Sequence, residues 1–202
     1  MAYLIIIIIC SIIIYVTNAL TNPVGSDLPW VYYLIALAIF VAGSFIIDAL
    51  VAIIGRKLPY KMVDPSKGMT KPHEKEIKFF KAIKVEKWKK FMPDLGRFTN
   101  FPKGNLMDPY NNEYIKRYIV EASYGIWIHY MSAPATLLLF FLIFIDPSNV
   151  TIWTVGLPVM IINMILIVLP AFSLKFNLAR LIRIAEINDR LLAKKKQQEQ
   201  EE

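Results

Sequence analysis

Cysteine is nearly missing from this chain. Cys10 is the only one, and it lies in an apolar run, so a disulfide framework and a cysteine zinc site are both excluded. Histidine is almost as scarce: His73 and His129 are too few for a histidine-rich metal site. No glycine loop that would cradle a nucleotide is present, and no His-Glu-x-x-His, Gly-x-Ser-x-Gly or Cys-x-x-Cys occurs. These gaps remove most familiar hydrolases, redox enzymes and nucleotide-dependent enzymes, and they call for no metal and no bound cofactor. Positive charge is also missing, but only locally. Neither 1–54 nor 119–174 holds a single Lys or Arg.

What fills those stretches is hydrocarbon. The 202 residues are 56% hydrophobic, above the roughly 45–50% of soluble domains, and mean hydropathy is +0.46. The excess comes in long blocks, which makes this an all-α integral membrane protein. Its net charge of +7 comes from residues that flank the apolar blocks. Anionic lipid headgroups are therefore the expected partner of that charge, and nucleic acid is not.

Four spans are expected, at about 3–20, 30–54, 119–145 and 150–174, in one membrane domain covering 1–202. The first block has no basic residue ahead of it and no clean small-x-small site after it, so it reads as a retained helix rather than a secretory signal. Trp30, Tyr32 and Tyr33 mark a headgroup border of the second. The loop 55–118 carries 16 of the 23 Lys and Arg, and the other seven lie in the basic tail 175–202. The short loops near 21–29 and 146–150 hold only Asp27 and Asp146. By the positive-inside rule both termini and the long loop are cytoplasmic, in a multi-pass protein of a bacterial plasma membrane. Within the loop, His73 to Lys90 alternates Ile, Phe, Val and Trp with lysines and reads as an amphipathic element on the inner leaflet. Phe91 to Pro109 is turn-rich, and Asp108, Asn111 or Asn112 is placed to cap the next helix. Pro134, Pro158 and Pro170 are candidate kinks.

Polar residues inside the spans carry the chemistry, because such groups are costly there and face a bundle interior or a wet cavity. Glu121, Gly125 and His129 repeat at i, i+4, i+8 and share a helix face, with Ser132 and Thr136 drifting from it. His129 lies about 12 Å along the helix from Glu121, too far for a direct dyad. Asp48 sits about 10 Å inside its border. It either reaches water or a nearby cation, or lines the same cavity. Asn163, about 18 Å from its exit, lies at a depth comparable with the 15 Å or so of His129. The two then meet across antiparallel helices, or Asn163 merely bonds a neighbouring helix. Arg180 and Arg183, one turn apart, either anchor the inner leaflet or fork an anionic group.

Taken in order, Lys87-Trp88-Lys89, Pro93-Asp94-x-Gly96, Glu121…Ile128-His129-Tyr130-x-Ser132, Asn163 and Phe176-Asn177-x-x-Arg180-Leu181 resemble the glycosyl-4,4′-diaponeurosporenoate acyltransferase family, over about residues 57 to 185. That family pattern often reads Tyr-Asn-Arg-x-Arg-Leu at the last motif, whereas this chain has Leu178 and Ala179 before Arg180. The resemblance implies transfer of a fatty acyl chain onto a sugar hydroxyl of a glycosylated carotenoid or related glycolipid. An acyl thioester would be the co-substrate, and membrane lipids and the lipid-linked acceptor the partners. His129 is then the expected general base, Glu121 its tuner, and Asn163 an orienting amide or oxyanion donor. Asp48, Lys87, Trp88, Lys89, Asn177, Arg180 and Arg183 are the expected substrate-binding residues. Two rival readings are a non-catalytic membrane scaffold and a small lipid methyltransferase. Self-association into a homo-oligomer is compatible with the sequence and not specified by it.

Overall fold

All regular elements among the described residues are helical. The structure is a computed structural model that describes residues 2–21, 29–92, 106–144 and 150–201. Asp27, Asp146 and the Pro93-Asp94-Leu95-Gly96 segment lie outside the described residues. The elements are α1 (Ala2–Thr21), α2 (Trp30–Arg56), α3 (Tyr60–Val63), α4 (Glu74–Ala82), α5 (Val85–Trp88), α6 (Asn112–Ala135) and α7 (Leu157–Glu201). Four helical stretches, Leu4–Thr21, Trp30–Arg56, Asn112–Leu142 and Ile152–Gln200, are long and apolar enough to cross a membrane. Their isoleucine-rich runs are poor helix formers in water. In a bilayer the need to satisfy every backbone N–H and C=O within the segment overrides that preference.

The prolines act differently from one another. Pro134 lies inside α6, and the chain beyond Ala135 continues as a tighter 3₁₀ helix over Thr136–Phe144. A proline offers no N–H to the carbonyl four residues back, so the ladder is already broken where the pitch changes. A π-turn at Ile152–Gly156 immediately precedes Pro158. Pro170 is absorbed within α7 without ending it.

The chain divides into two compact units, Met1–Lys57 with Ile128–Leu169, and Leu58–Trp127 with Pro170–Glu202. The first has a core of Ile14, Tyr33, Leu37, Phe40, Leu139, Ile152, Val155 and Met160. Many other side chains of α1 and α2, such as Ile5, Ile9, Ile39 and Ile46, are exposed. An apolar outer surface over an apolar core is the pattern of a bundle in lipid. Asn18, 5% exposed, is an exception on α1. Its amide donates to Ile14 O at 2.8 Å and to Thr154 O at 3.0 Å.

Gly156 sets how closely this core packs. A Cβ added there would lie 2.4 Å from Phe40 Cζ, and Phe40 is itself buried at 3% exposure. Gly156→Ala is expected to force the Phe40 ring aside and cost about 1–3 kcal/mol. Thermal unfolding of the purified variant in detergent checks this, and a melting temperature equal to that of the parent would contradict the packing.

The second unit is built around a short aromatic cluster. Phe80, Val85 and Phe176 are buried together, with Ile77, Ile83, Trp88 and Phe172 packed around them. The His73 to Lys90 stretch is therefore two short helices rather than one amphipathic rod. Lys84, with φ of 54°, turns the chain between them. Much of their apolar face covers α7 rather than lipid, although Phe79 remains half exposed. A capping box starts α4, in which Glu76 accepts from His73 N at 3.0 Å. Ahead of it, Gly68 adopts φ of +56°, and buried Thr70 donates its hydroxyl to Asp64 O and Lys67 O. Asn111 caps α6, its Oδ1 accepting from Tyr114 N at 3.0 Å, while Asp108 accepts from Asn111 N. Farther along α7, Asn188 donates to Pro109 O, and Asp189 accepts from Lys116 and Asn112.

Candidate functional site

The polar residues expected inside the spans fall into separate groups. In the first unit, Asn163 Nδ2 donates to Asp48 Oδ2 at 3.3 Å and to Thr136 Oγ1 at 3.0 Å. Thr136 passes its own proton to Ser132 O at 3.1 Å. Three spans thus meet at one polar cluster around Asp48. Its carboxylate faces an amide inside the bundle rather than a nearby cation. Asp48 Oδ1 and Ser132 Oγ are buried without a hydrogen-bond partner among the described residues. His129, half-buried, belongs to the same unit, but the Asn163 amide is directed to Asp48 and Thr136 and does not orient it. Comparable depth was the only basis for pairing Asn163 with His129. Depth leaves the rotation of each helix about its axis undetermined.

Beside the cluster lies an open groove lined by α1 (Cys10, Ser11, Ile14), α2 (Val41, Ser44) and α7 (Asn163), among others. Ser44 is buried and returns its hydroxyl to Phe40 O at 2.9 Å. His129 is not part of the groove lining.

In the second unit, Glu121 is half-buried on α6, beside buried Ala122 and Gly125. A second group forms where the Lys87-Trp88-Lys89 segment meets α7. Lys89 Nζ donates to Asn177 Oδ1 at 2.9 Å and stands 5.6 Å from the centre of the Phe176 ring. Trp88 Nε1 donates to Ile83 O at 3.0 Å, which holds the indole in the aromatic cluster. Arg180 lies 3.7 Å from Glu86, both well exposed. Burial, and then the Arg180 charge, hold the Lys89 ammonium below its usual range, against an opposing pull from Glu86. Lys87 and Arg183, nearby in sequence, are exposed. The arrangement leaves Lys89 and Arg180 as an anion-attracting pair on an aromatic base. Sequence motifs 88 residues apart are here joined by a hydrogen bond.

Sequence reasoning did not find a buried ion pair in this unit. Lys175, only 2% exposed, meets Glu76 Oε1 at 2.7 Å. Two signals pointed to it. A lone lysine sits among Phe172, Leu174 and Phe176, and His73 and Glu76 have the spacing of a capping box.

The four spanning helices, the intramembrane polar cluster and the cationic motif group define a small polytopic α-helical membrane protein. Residues 60–187 match the family model described as glycosyl-4,4′-diaponeurosporenoate acyltransferase. The match covers more than half of the chain, and the protein belongs to that family. It includes His129, Asn163, the Lys87-Trp88-Lys89 segment and Arg180, and it agrees with the stretch expected from the motifs. No curated protein and no solved structure matches the chain.

Proposed function

We propose that the protein is an O-acyltransferase that moves a fatty acyl chain from a thioester onto a sugar hydroxyl of a glycosylated carotenoid or related glycolipid. Membership of the acyltransferase family over residues 60–187 is the observation that carries this reading. In the reaction the acceptor oxygen attacks the thioester carbonyl, the carbon–sulfur bond breaks, and the hydroxyl proton passes to His129 and then to the departing thiolate. Glu121 tunes the histidine charge from its position on the same helix. Lys89 and Arg180, with Lys87 and Arg183 beside them in sequence, attract the anionic part of the donor or a lipid headgroup, and Trp88 and Asn177 hold Lys89 in place. Asp48 and Asn163 form a polar floor for an apolar reactant instead of contacting the imidazole. The setting is the bacterial plasma membrane, with the basic loop and both termini on the cytoplasmic side, supported by the distribution of Lys and Arg.

The test is a lipid assay. Purified protein in nanodiscs receives a glycosylated carotenoid together with a long-chain acyl thioester of coenzyme A or of acyl carrier protein. Mass spectrometry should find an ester of both reactants, and the same species should be missing from cells that make the glycoside without this gene. No ester from either donor, with identical extracts from both strains, refutes the assignment.

A further inference from the structure

We infer that the groove of the first unit binds the hydrocarbon chain of a lipid that carries a hydroxyl, with Asn163 Oδ1 accepting a hydrogen bond from that hydroxyl. Three observations combine. The groove lies among spanning helices and opens outward. Phe45 lines it yet is 49% exposed, and Ile8 and Ile46 nearby are exposed as well. In a membrane the medium at such an opening is lipid, so an acyl or isoprenoid chain is the occupant at hand. Apart from Ser11, Ser44 and Asn163 the groove's lining is apolar, which suits a hydrocarbon chain segment.

The polar end of the groove selects the headgroup chemistry. Thr136 Oγ1 donates to Ser132 O, so toward Asn163 it can only accept. Asp48 likewise meets Asn163 through a carboxylate oxygen. The nitrogen of the Asn163 amide must therefore face both of them, and neither of its N–H groups is left for a ligand. With both N–H groups so used, the carbonyl oxygen is the group this amide can offer a ligand. Ser44 has its proton committed to Phe40 O and can also only accept. A site that presents acceptors favours a donor. It discriminates against an ester of the same chain length, which would leave these oxygens unpaired. Most of the lining comes from α1 and α2, ahead of the family-matched residues. The site is therefore a feature of this chain rather than of the matched segment. On the acyl-transfer reading proposed above, the hydroxyl is the chemistry of the acceptor and not of the donor.

The experiment uses the full chain in nanodiscs and a long-chain fatty alcohol bearing a diazirine. After illumination, peptide mapping should place the label on the α1 and α2 segments around Ser11 and Ser44. The unmodified alcohol should chase the label at least about tenfold better than the methyl ester of the same length, the factor expected for one hydrogen bond. Asn163→Leu should abolish that preference, and Ser11→Phe, which fills the groove, should cut labelling about tenfold. If Ser11→Phe lowers the melting temperature, Val41→Phe repeats the filling from α2. Equal chasing by alcohol and ester in the parent protein overturns the hydroxyl assignment. Label spread over the exposed α1 positions Ile8 and Ile12, unchanged by both filling variants, overturns the site. Acyl transfer is not measured, so failure here and failure of the transfer assay are distinguishable.

Discussion

His129→Ala lowers acyl transfer in purified protein by about 10²–10⁴-fold, the range a positioned general base contributes. The loss falls on the chemical step. Affinity for either reactant, read from substrate dependence, should change by less than about threefold, because the imidazole acts on a proton rather than on a headgroup. A structural histidine would behave differently. It would lower the melting temperature and would not respond to added base. Imidazole supplied to His129→Ala should therefore restore part of the rate, while Asp48→Asn and Asn163→Leu show no such rescue. Activity within tenfold of the parent, in a preparation free of endogenous enzyme, removes His129 from the mechanism.

The second large effect is on stability, and it is unequal between two partners of one ion pair. Lys175 is 2% exposed and Glu76 34%. Glu76→Gln keeps a hydrogen-bonding side chain at the start of α4 but takes away the negative charge facing a buried ammonium. Leaving a buried charge without its counterion costs about 3–5 kcal/mol, with the lower end expected here because Glu76 is partly solvated. Lys175→Met removes the buried charge itself. Glu76 then remains near the surface, still accepting from His73 N, and the cost should be below about 1 kcal/mol. Unfolding of both variants in detergent gives the comparison. Equal destabilisation by the two, or a small effect of Glu76→Gln, shows that the ammonium does not depend on this carboxylate. Because the pair joins α4 to α7, Glu76→Gln should also weaken the Lys89–Asn177 group two residues along α7.

The spans were legible in the sequence because their signal is local. A block of apolar residues without charge needs no knowledge of its partner, and α1 and α2 fall within two residues of the expected limits. The helices of the third and fourth spans run past those limits, to Asn112 at one end and Glu201 at the other. Polar residues mark where a helix leaves hydrocarbon, not where its hydrogen bonds stop. The Lys87-Trp88-Lys89 and Phe176-Asn177-x-x-Arg180 motifs were visible one by one, but their convergence was not. It depends on Lys84 turning the chain so that α5 lies against Phe176. The amphipathic loop was legible as composition, but not which of its aromatic residues would be covered by α7. Phe79 is exposed as expected, while Phe80 is covered by Phe172 and Phe176. Asp48 and Asn163 were both singled out, yet their mutual bond required the azimuth of two helices, which no residue count supplies.

The amide of Asn18 has a consequence for how the chain is made. Its second acceptor, Thr154 O, lies 136 residues later. At about 5–20 residues per second, a ribosome delivers that carbonyl on the order of ten seconds after α1 has emerged. Until then the Asn18 amide has the Ile14 carbonyl of its own turn as its protein acceptor. The Asn18–Thr154 bond therefore forms only once the Ile152–Gln200 span has arrived. Asn18→Leu removes that waiting period and lets α1 settle anywhere along α2. Such a variant should insert normally and then assemble into more than one species.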